Sequence, residues 1–359
     1  MGSYYRPEKY KNSELSVQEL VKKPLAPVPQ CYIRPHQESP TIPFPDETLR
    51  SEIPSIDIKQ LVLEETKENE LEKLHSACRN WGLFQLVNHG VSPLLLEKLK
   101  NEIEEFFNLP FEEKMMKYKI RAGDVEGYGR VIRSEDQKLD WGDRFYMTTN
   151  PLHKRKPHIF SELPSSLRTI LESYMVELQS HAMTLLGLLG KSLKLNTREM
   201  EELFEDGMQS VRMTYYPPCP QPELVLGITA HSDSSGITIL NQVNGVDGLQ
   251  IKKDGRWIPV KAQPDALVVN IGDILEMVSN GAYKSAEHRV IVNSKKERIS
   301  IAMFFNPKLE AEIGPSICLT NPQNPALFKR VGMEKYANDF FSRKLDGKSN
   351  LEHMRIEQN

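Results

Sequence analysis

Apolar residues recur along this chain with different periods, and each period predicts a kind of element. Ile53-Pro54-Ser55-Ile56-Asp57-Ile58 mixes apolar and polar positions in the two-residue rhythm of a strand. Residues 65–80 carry Leu71, Leu74 and Cys78 at helical spacing, which predicts an amphipathic helix. Residues 81–91 read as a buried strand ending in a turn at Asn88-His89-Gly90, with His89 bracing that turn. Ser92 followed by Pro93 is a helix start, and Leu95, Leu99, Ile103, Phe106 and Phe107 then mark its core-facing side. Residues 121–147 mix glycines with aromatics, which predicts a loop and a hairpin. From Pro164 to Leu195 the spacing of Leu171, Tyr174, Leu178, Leu185 and Leu188 predicts one long helix.

From residue 211 onward the period shifts to two. Asn244-Gly245, Asp247-Gly248, Asp254-Gly255 and Asn280-Gly281 are hairpin or loop markers, with strands such as LQIKK, WIPVK, ALVVNIG, HRVIVN and RISIAMFF between them. Many short antiparallel strands so punctuated predict a jelly roll, the double-stranded β-helix. The fold class is therefore mainly β with flanking helices (α+β). Residues 325–354 predict a C-terminal helix covering the barrel. Residues 1–50 are proline-rich, with a short helix near residues 16–20 capped by Ser16 and an extended path elsewhere. The expected division is an N-terminal extension (1–50), an α/β region (51–165), supporting helices (166–205), the jelly-roll core (206–310) and a helical tail (311–359).

Composition narrows the class of partner. The chain has 359 residues, 39% hydrophobic and 26% charged, with a formal net charge of −3 and no basic block, which argues against nucleic acid. No apolar run reaches the roughly 18 residues of a membrane span, and the polar start lacks the core of a signal peptide. Met1-Gly2 opens a myristoylation pattern that fails at Arg6. Cys31, Cys78, Cys219 and Cys318 are scattered without a C-x-x-C pair, which suits free thiols in a reducing compartment. A cytoplasmic monomer is the expectation.

The candidate chemistry lies in residues 211–306. On a strand, His231 and Asp233 at i and i+2 would point the same way, and His288 can arrive from a neighbouring strand. Two histidines and one carboxylate leave metal positions open, the pattern of non-haem Fe(II) oxygenases. Arg298 and Ser300 repeat the i, i+2 spacing, and a guanidinium fork beside a hydroxyl can clamp a carboxylate. A lone histidine is more often structural than a ligand, and Arg-x-Ser is usually a solvated face. A zinc hydrolase could also use the two histidines and the aspartate, and a metal-free jelly-roll receptor is the non-enzyme alternative.

Taken in order, His-x-Asp, His288 and Arg-x-Ser, with TYYPPCPQP at 214–222 just upstream, resemble the plant 2-oxoglutarate- and Fe(II)-dependent oxygenases, the group of anthocyanidin synthase and flavonol synthase. The resemblance runs from about Ile53 to Met354. It implies Fe(II) on His231, Asp233 and His288, with 2-oxoglutarate and O2 as co-substrates and ascorbate as reductant. It implies further that Arg298 and Ser300 hold the distal carboxylate of 2-oxoglutarate, with Tyr216 as another contact. Thr214 is a further implied co-substrate contact, though many relatives have asparagine there, so a hydroxyl stands where they carry an amide. DVEGYG, SEDQKLDW, LHKRKPH and KLDGKS resemble stretches of the thebaine and codeine O-demethylase and senescence-related branch. This implies plant specialised metabolism on a small aromatic molecule, with O-demethylation or hydroxylation of an alkaloid as the leading reading and oxidation of a flavonoid, phenolic or indole as the alternative. Phe145 and Tyr146 in the hairpin, and Phe304 and Asn306 after Arg-x-Ser, are the implied substrate contacts. By strand alternation only one of Phe304 and Phe305 can face a pocket.

Overall fold

A computed structural model describes residues 16–23, 27–34, 53–134 and 137–357. Ser16 accepts from the Glu19 amide and caps α1 (Val17–Val21). The extended path expected for residues 1–15 and 35–50 lies outside the described residues. There follow β1 (Ser55–Asp57), α2 (Ile58–Val62), α3 (Lys67–Asn80), β2 (Leu83–Val87), α4 (Pro93–Asn108), α5 (Phe111–Tyr118), and the hairpin of β3 (Gly127–Tyr128) and β4 (Asp143–Asn150). His89 braces the turn after β2, its Nδ1 accepting from the Val91 amide at 3.1 Å. Next come α6 (Pro157–Phe160), the long α7 (Ser165–Ser192) and α8 (Thr197–Phe204). Pro164 sits at the cap of α7, where its missing N–H costs nothing.

The strand-rich half contains β5 (Gln209–Tyr216), β6 (Ile228–His231), β7 (Ile237–Asn241), β8 (Leu249–Lys253), β9 (Arg256–Pro259), β10 (Leu267–Ile271), β11 (His288–Val290) and β12 (Arg298–Phe305). They form an eight-stranded sheet ordered β1-β2-β10-β7-β12-β5-β4-β3 and a four-stranded sheet ordered β6-β11-β8-β9. Asp254-Gly255 makes the β8–β9 turn with both residues at positive φ, the geometry a two-residue hairpin needs. Asn280-Gly281 instead ends a helix, α9 (Asp273–Val278), which the strand rhythm did not predict. The Gly281 amide reaches back to the Glu276 carbonyl at 2.8 Å.

Alternation along the strands divides the core in two. Val211, Met213, Ile301, Met303 and Phe305 face outward from the large sheet and pack with α3, α4 and α7, including Leu74, Leu99, Leu171 and Leu178. Tyr216, Leu240 and Val268 face the other way and meet Ile228, Leu249, Ile251 and Val290 of the small sheet. The result is a jelly roll backed by helices. In the tail, α10 (Met333–Ser342) and α11 (Ser349–Glu352) are joined by residues that run beside β6. There the Gly347 amide donates to Ala230 O at 3.0 Å, and the Ser232 amide donates to Gly347 O at 3.1 Å.

Candidate active site

His231 ends β6 and His288 begins β11, and the two are direct partners in the antiparallel register. Their rings lie 4.4 Å apart between centroids. Asp233 reaches the same point by a route other than the shared strand face predicted from its spacing, because β6 stops at His231 and the chain turns. The Asp273 amide, at the start of α9, fixes that turn by donating to Asp233 O at 2.7 Å. Asp233 Oδ1 then lies 3.4 Å from His231 Nε2 and 3.8 Å from His288 Nε2. One donor atom from each residue falls within 4.8 Å of the others, a group able to hold a metal ion.

The surroundings fix what each donor offers. His231 Nδ1 lies 2.8 Å from Thr229 O and His288 Nδ1 lies 2.9 Å from Ala286 O. A carbonyl can only accept, so each Nδ1 carries the proton and each Nε2 turns its lone pair inward. Asp233 Oδ2 accepts from Thr238 Oγ1 at 2.7 Å and Asn270 Nδ2 at 2.9 Å, which leaves Oδ1 for the centre. Burial alone would raise the Asp233 carboxyl, but His288 and His231 outweigh it and hold the group well below the usual carboxylate range. Burial, and then His231, pushes His288 down toward its neutral form. A carboxylate with two imidazoles converging on one point is the donor set of a divalent first-row metal.

Behind this group, β5 and β12 pair Arg298 with Tyr216 and Ser300 with Thr214. Arg298 is 1% exposed. Its guanidinium stands 5.2 Å from the Tyr216 ring centre and donates to Ser300 Oγ at 3.2 Å and Gln242 Oε1 at 3.1 Å. Its Nε is buried without an acceptor, and among the described residues no carboxylate lies within ion-pair distance. Burial lowers the guanidinium's pKa, with Tyr216 opposing the shift. A buried cation with spare donors suits a ligand carboxylate. Absent side chains make the room. A Cβ on Gly248 would come within 2.8 Å of Arg298 Cδ, and one on Gly227 within 2.8 Å of Tyr216 Cδ1.

A cavity of about 480 Å³ opens from His231 and Asp233. Tyr146, Thr214, Phe304 and Asn306 line it, as does α10 through Phe340 and Phe341. Phe145 does not belong to it. Its ring is fully buried on the opposite face of β4, 5.0 Å from Phe106 and 5.9 Å from Tyr118. The alternation that puts Tyr146 in the cavity sends Phe145 into the helix-backed core, and the same rule separates Phe304 from Phe305. Reading the residues alone missed Thr238 and Asn270, which orient Asp233, and two arginines on the cavity wall, Arg144 and Arg212. Asn270 had a visible signal, as a polar residue in the otherwise apolar Leu267–Ile271.

Comparison with known proteins agrees with this geometry. Residues 207–307 match the 2OG-Fe(II) oxygenase superfamily, and residues 53–165 match the family described as non-haem dioxygenase in morphine synthesis N-terminal. Codeine O-demethylase of Papaver somniferum is 52% identical, over 95% of this chain and 96% of that protein. Oxoglutarate-dependent flavonoid 7-O-demethylase 1 of Ocimum basilicum is 48% identical, over 95% of this chain and 91% of that protein. Among solved structures, JOX2 in complex with 2OG, Fe and JA superposes with a TM-score of 0.85 at 35% identity, over 95% of this chain and 98% of that one. Placed beside a metal-binding group with an adjoining buried cation, these likenesses make the chain a member of the 2OG-Fe(II) oxygenase superfamily and a 2-oxoglutarate-dependent dioxygenase related to the plant O-demethylases.

Proposed function

We propose that the protein oxidises a C–H bond of a methoxylated aromatic metabolite and thereby removes the methyl group. The observation that carries the oxygenase part of this reading is a His-Asp-His group opening on an organic-sized cavity, with the buried Arg298 having no carboxylate within ion-pair distance among the described residues. The demethylase relatives support removal of a methyl group. In this reading His231, Asp233 and His288 hold Fe(II), and Thr238 and Asn270 keep Asp233 Oδ2 turned away from it. Arg298, Ser300 and Tyr216 hold the far carboxylate of 2-oxoglutarate, and Thr214 borders the same pocket. Bound iron supplies the activation of O2. The rest of the work is positional: residues of the cavity wall such as Tyr146, Phe304 and Asn306 place the methyl carbon and exclude water.

The overall change balances as R–O–CH3 + 2-oxoglutarate + O2 → R–OH + HCHO + succinate + CO2. One oxygen atom enters succinate and the other converts the methoxy group to a hemiacetal, R–O–CH2OH. That hemiacetal then splits into the alcohol and formaldehyde. The same residues serve hydroxylation when the oxidised carbon bears no ether oxygen. The codeine relative supports an alkaloid substrate. The flavonoid relative supports a phenolic one, which the arginines of the cavity wall also favour. Ascorbate as reductant, a monomeric state and a cytosolic location complete the proposal. Among the described residues no disulfide forms, and no helix is long and apolar enough to cross a membrane.

The test is succinate release with Fe(II), ascorbate and 2-oxoglutarate across a library of methoxylated alkaloids and phenolics, with formaldehyde read in parallel. Equimolar succinate and formaldehyde for one compound supports demethylation. Succinate without formaldehyde overturns demethylation in favour of hydroxylation or desaturation.

A further inference from the structure

The cavity wall carries more positive charge than the iron and 2-oxoglutarate sites use. On the face of the large sheet that shows Tyr146 and Thr214 to the cavity, Arg212 stands opposite Tyr146 and Arg144 opposite Thr214. The two arginines are therefore diagonal neighbours on adjacent strands, and both line the cavity. Arg144 donates from Nε to Gly129 O at 3.1 Å and from a terminal nitrogen to Val125 O at 3.2 Å, carbonyls that hold the side chain without neutralising it. Arg212 Nε is buried without an acceptor. Among the described residues, neither guanidinium has a carboxylate within ion-pair distance.

Asp346 lines the same cavity from the tail, outside ion-pair distance of either arginine, and the other nearby acids are engaged elsewhere. Asp140 takes Arg34 at 2.9 Å and Thr229 Oγ1 at 2.6 Å. Asp143 accepts from Ser16 Oγ at 2.7 Å and faces Arg130 at 3.7 Å. Glu126 accepts from the Thr148 amide at 2.8 Å and pairs with Lys156 at 3.2 Å. Asp233 belongs to the metal group. Burial, then Arg212 and Arg133, pushes Arg144 down to about 9, the mark of like charges held together on a drying wall. Such an arrangement is costly unless an anion completes it.

We propose that Arg212 and Arg144 form an oxyanion subsite for the organic substrate, which presents a carboxylate or an ionised phenol to them and is not recognised through a protonated amine. This rests on the proposed function, in that the cavity beside the metal group is where the organic substrate binds. The two guanidinium forks give the substrate one fixed end, so its oxidised carbon is set by its distance from that end. An amine cation in the same place would meet like charge.

The test measures binding to the whole chain loaded with Mn(II), which supports no turnover, and 2-oxoglutarate. The carboxylate arm compares 4-methoxycinnamate with its methyl ester. The phenolate arm follows a methoxylated 7-hydroxyflavone across its own phenol titration, against the 7-methyl ether. A methoxylated benzylisoquinoline serves as the cation. The expected result is at least about tenfold tighter binding of the oxyanion in one arm, lost in Arg212→Gln and in Arg144→Gln and partly restored in Arg212→Lys. Acid and ester binding alike, with the flavone insensitive to its ionisation, would overturn the subsite. So would tighter binding of the amine, an oxyanion preference untouched in both glutamine variants, or no binding by any probe while Mn(II) and 2-oxoglutarate still bind. Failure of Mn(II) and 2-oxoglutarate themselves to bind would strike the oxygenase reading instead, and the subsite with it.

Discussion

A single residue decides most here where it is buried and has one open atom left. Asp233 has one oxygen committed to Thr238 and Asn270 and the other aimed at two imidazole nitrogens. Asp233→Ala should therefore abolish Mn(II) binding, followed by electron paramagnetic resonance, while the circular dichroism spectrum stays that of the wild type. Mn(II) binding at wild-type affinity would remove Asp233 from the metal group. Arg298 is the complementary case, a buried donor set awaiting a carboxylate. Arg298→Ala should raise the 2-oxoglutarate concentration needed for half-maximal turnover by about two orders of magnitude, the cost of removing one partner of a buried charged pair. Arg298→Lys should do less, since it keeps the charge and loses the fork. Equal effects of Arg298→Ala on 2-oxoglutarate and on the organic substrate would show that Arg298 does not hold the co-substrate.

At the scale of an element, β4 separates packing from recognition by one step along the chain. Phe145→Ala empties a fully buried site against Phe106 and Tyr118 and should cost about 3–5 kcal/mol in chemical denaturation. Tyr146→Ala, on the cavity face, should cost far less stability and weaken binding of the organic substrate; the reverse ranking would mean that the faces are assigned the wrong way round. The long helix, the hairpin and the principal strands of the jelly roll were legible in the sequence because their apolar periods persist over many residues. Helix α9 was not legible. Its six residues are all buried, including Asp273 and Glu276, so no polar face marks a helical period. Asp233 was found for a reason only partly right, since spacing placed it beside His231 while a turn held by α9 delivers it. Thr238 and Asn270 escaped because a polar residue in a buried strand reads as a blemish until its partner is known. Arg144 and Arg212 lie in sequence among strand residues, and only the register β4 shares with β5 shows them as a pair.

On the scale of the whole molecule, the helix-backed sheet and the metal wall are built from differently spaced parts of the chain. The sheet's outer face rests on α3, α4 and α7, most of them local structures with large apolar contacts. The metal wall leans on the tail. Gly347 pairs alongside the strand of His231, and Lys348 meets the buried Glu276 at 2.7 Å. Arg133 Nε holds the end of α10 through Phe341 O at 2.8 Å. These contacts close over long stretches of chain, and the tail's apolar anchors are few, chiefly Phe328, Met333, Tyr336 and Leu351, so the wall should be the cheaper part to open. The bridge at Gly347 thus has a consequence for the order of melting. In rising urea, Mn(II) affinity should fall before the far-ultraviolet helical signal does, and truncation before Leu345 should leave a helical protein that no longer retains the ion. Coincident loss of both signals would make the tail and the sheet one cooperative unit. Otherwise a cell could hold a pool of this enzyme that is folded by every bulk measure yet inert, its catalytic competence set by how firmly the last stretch of tail stays docked.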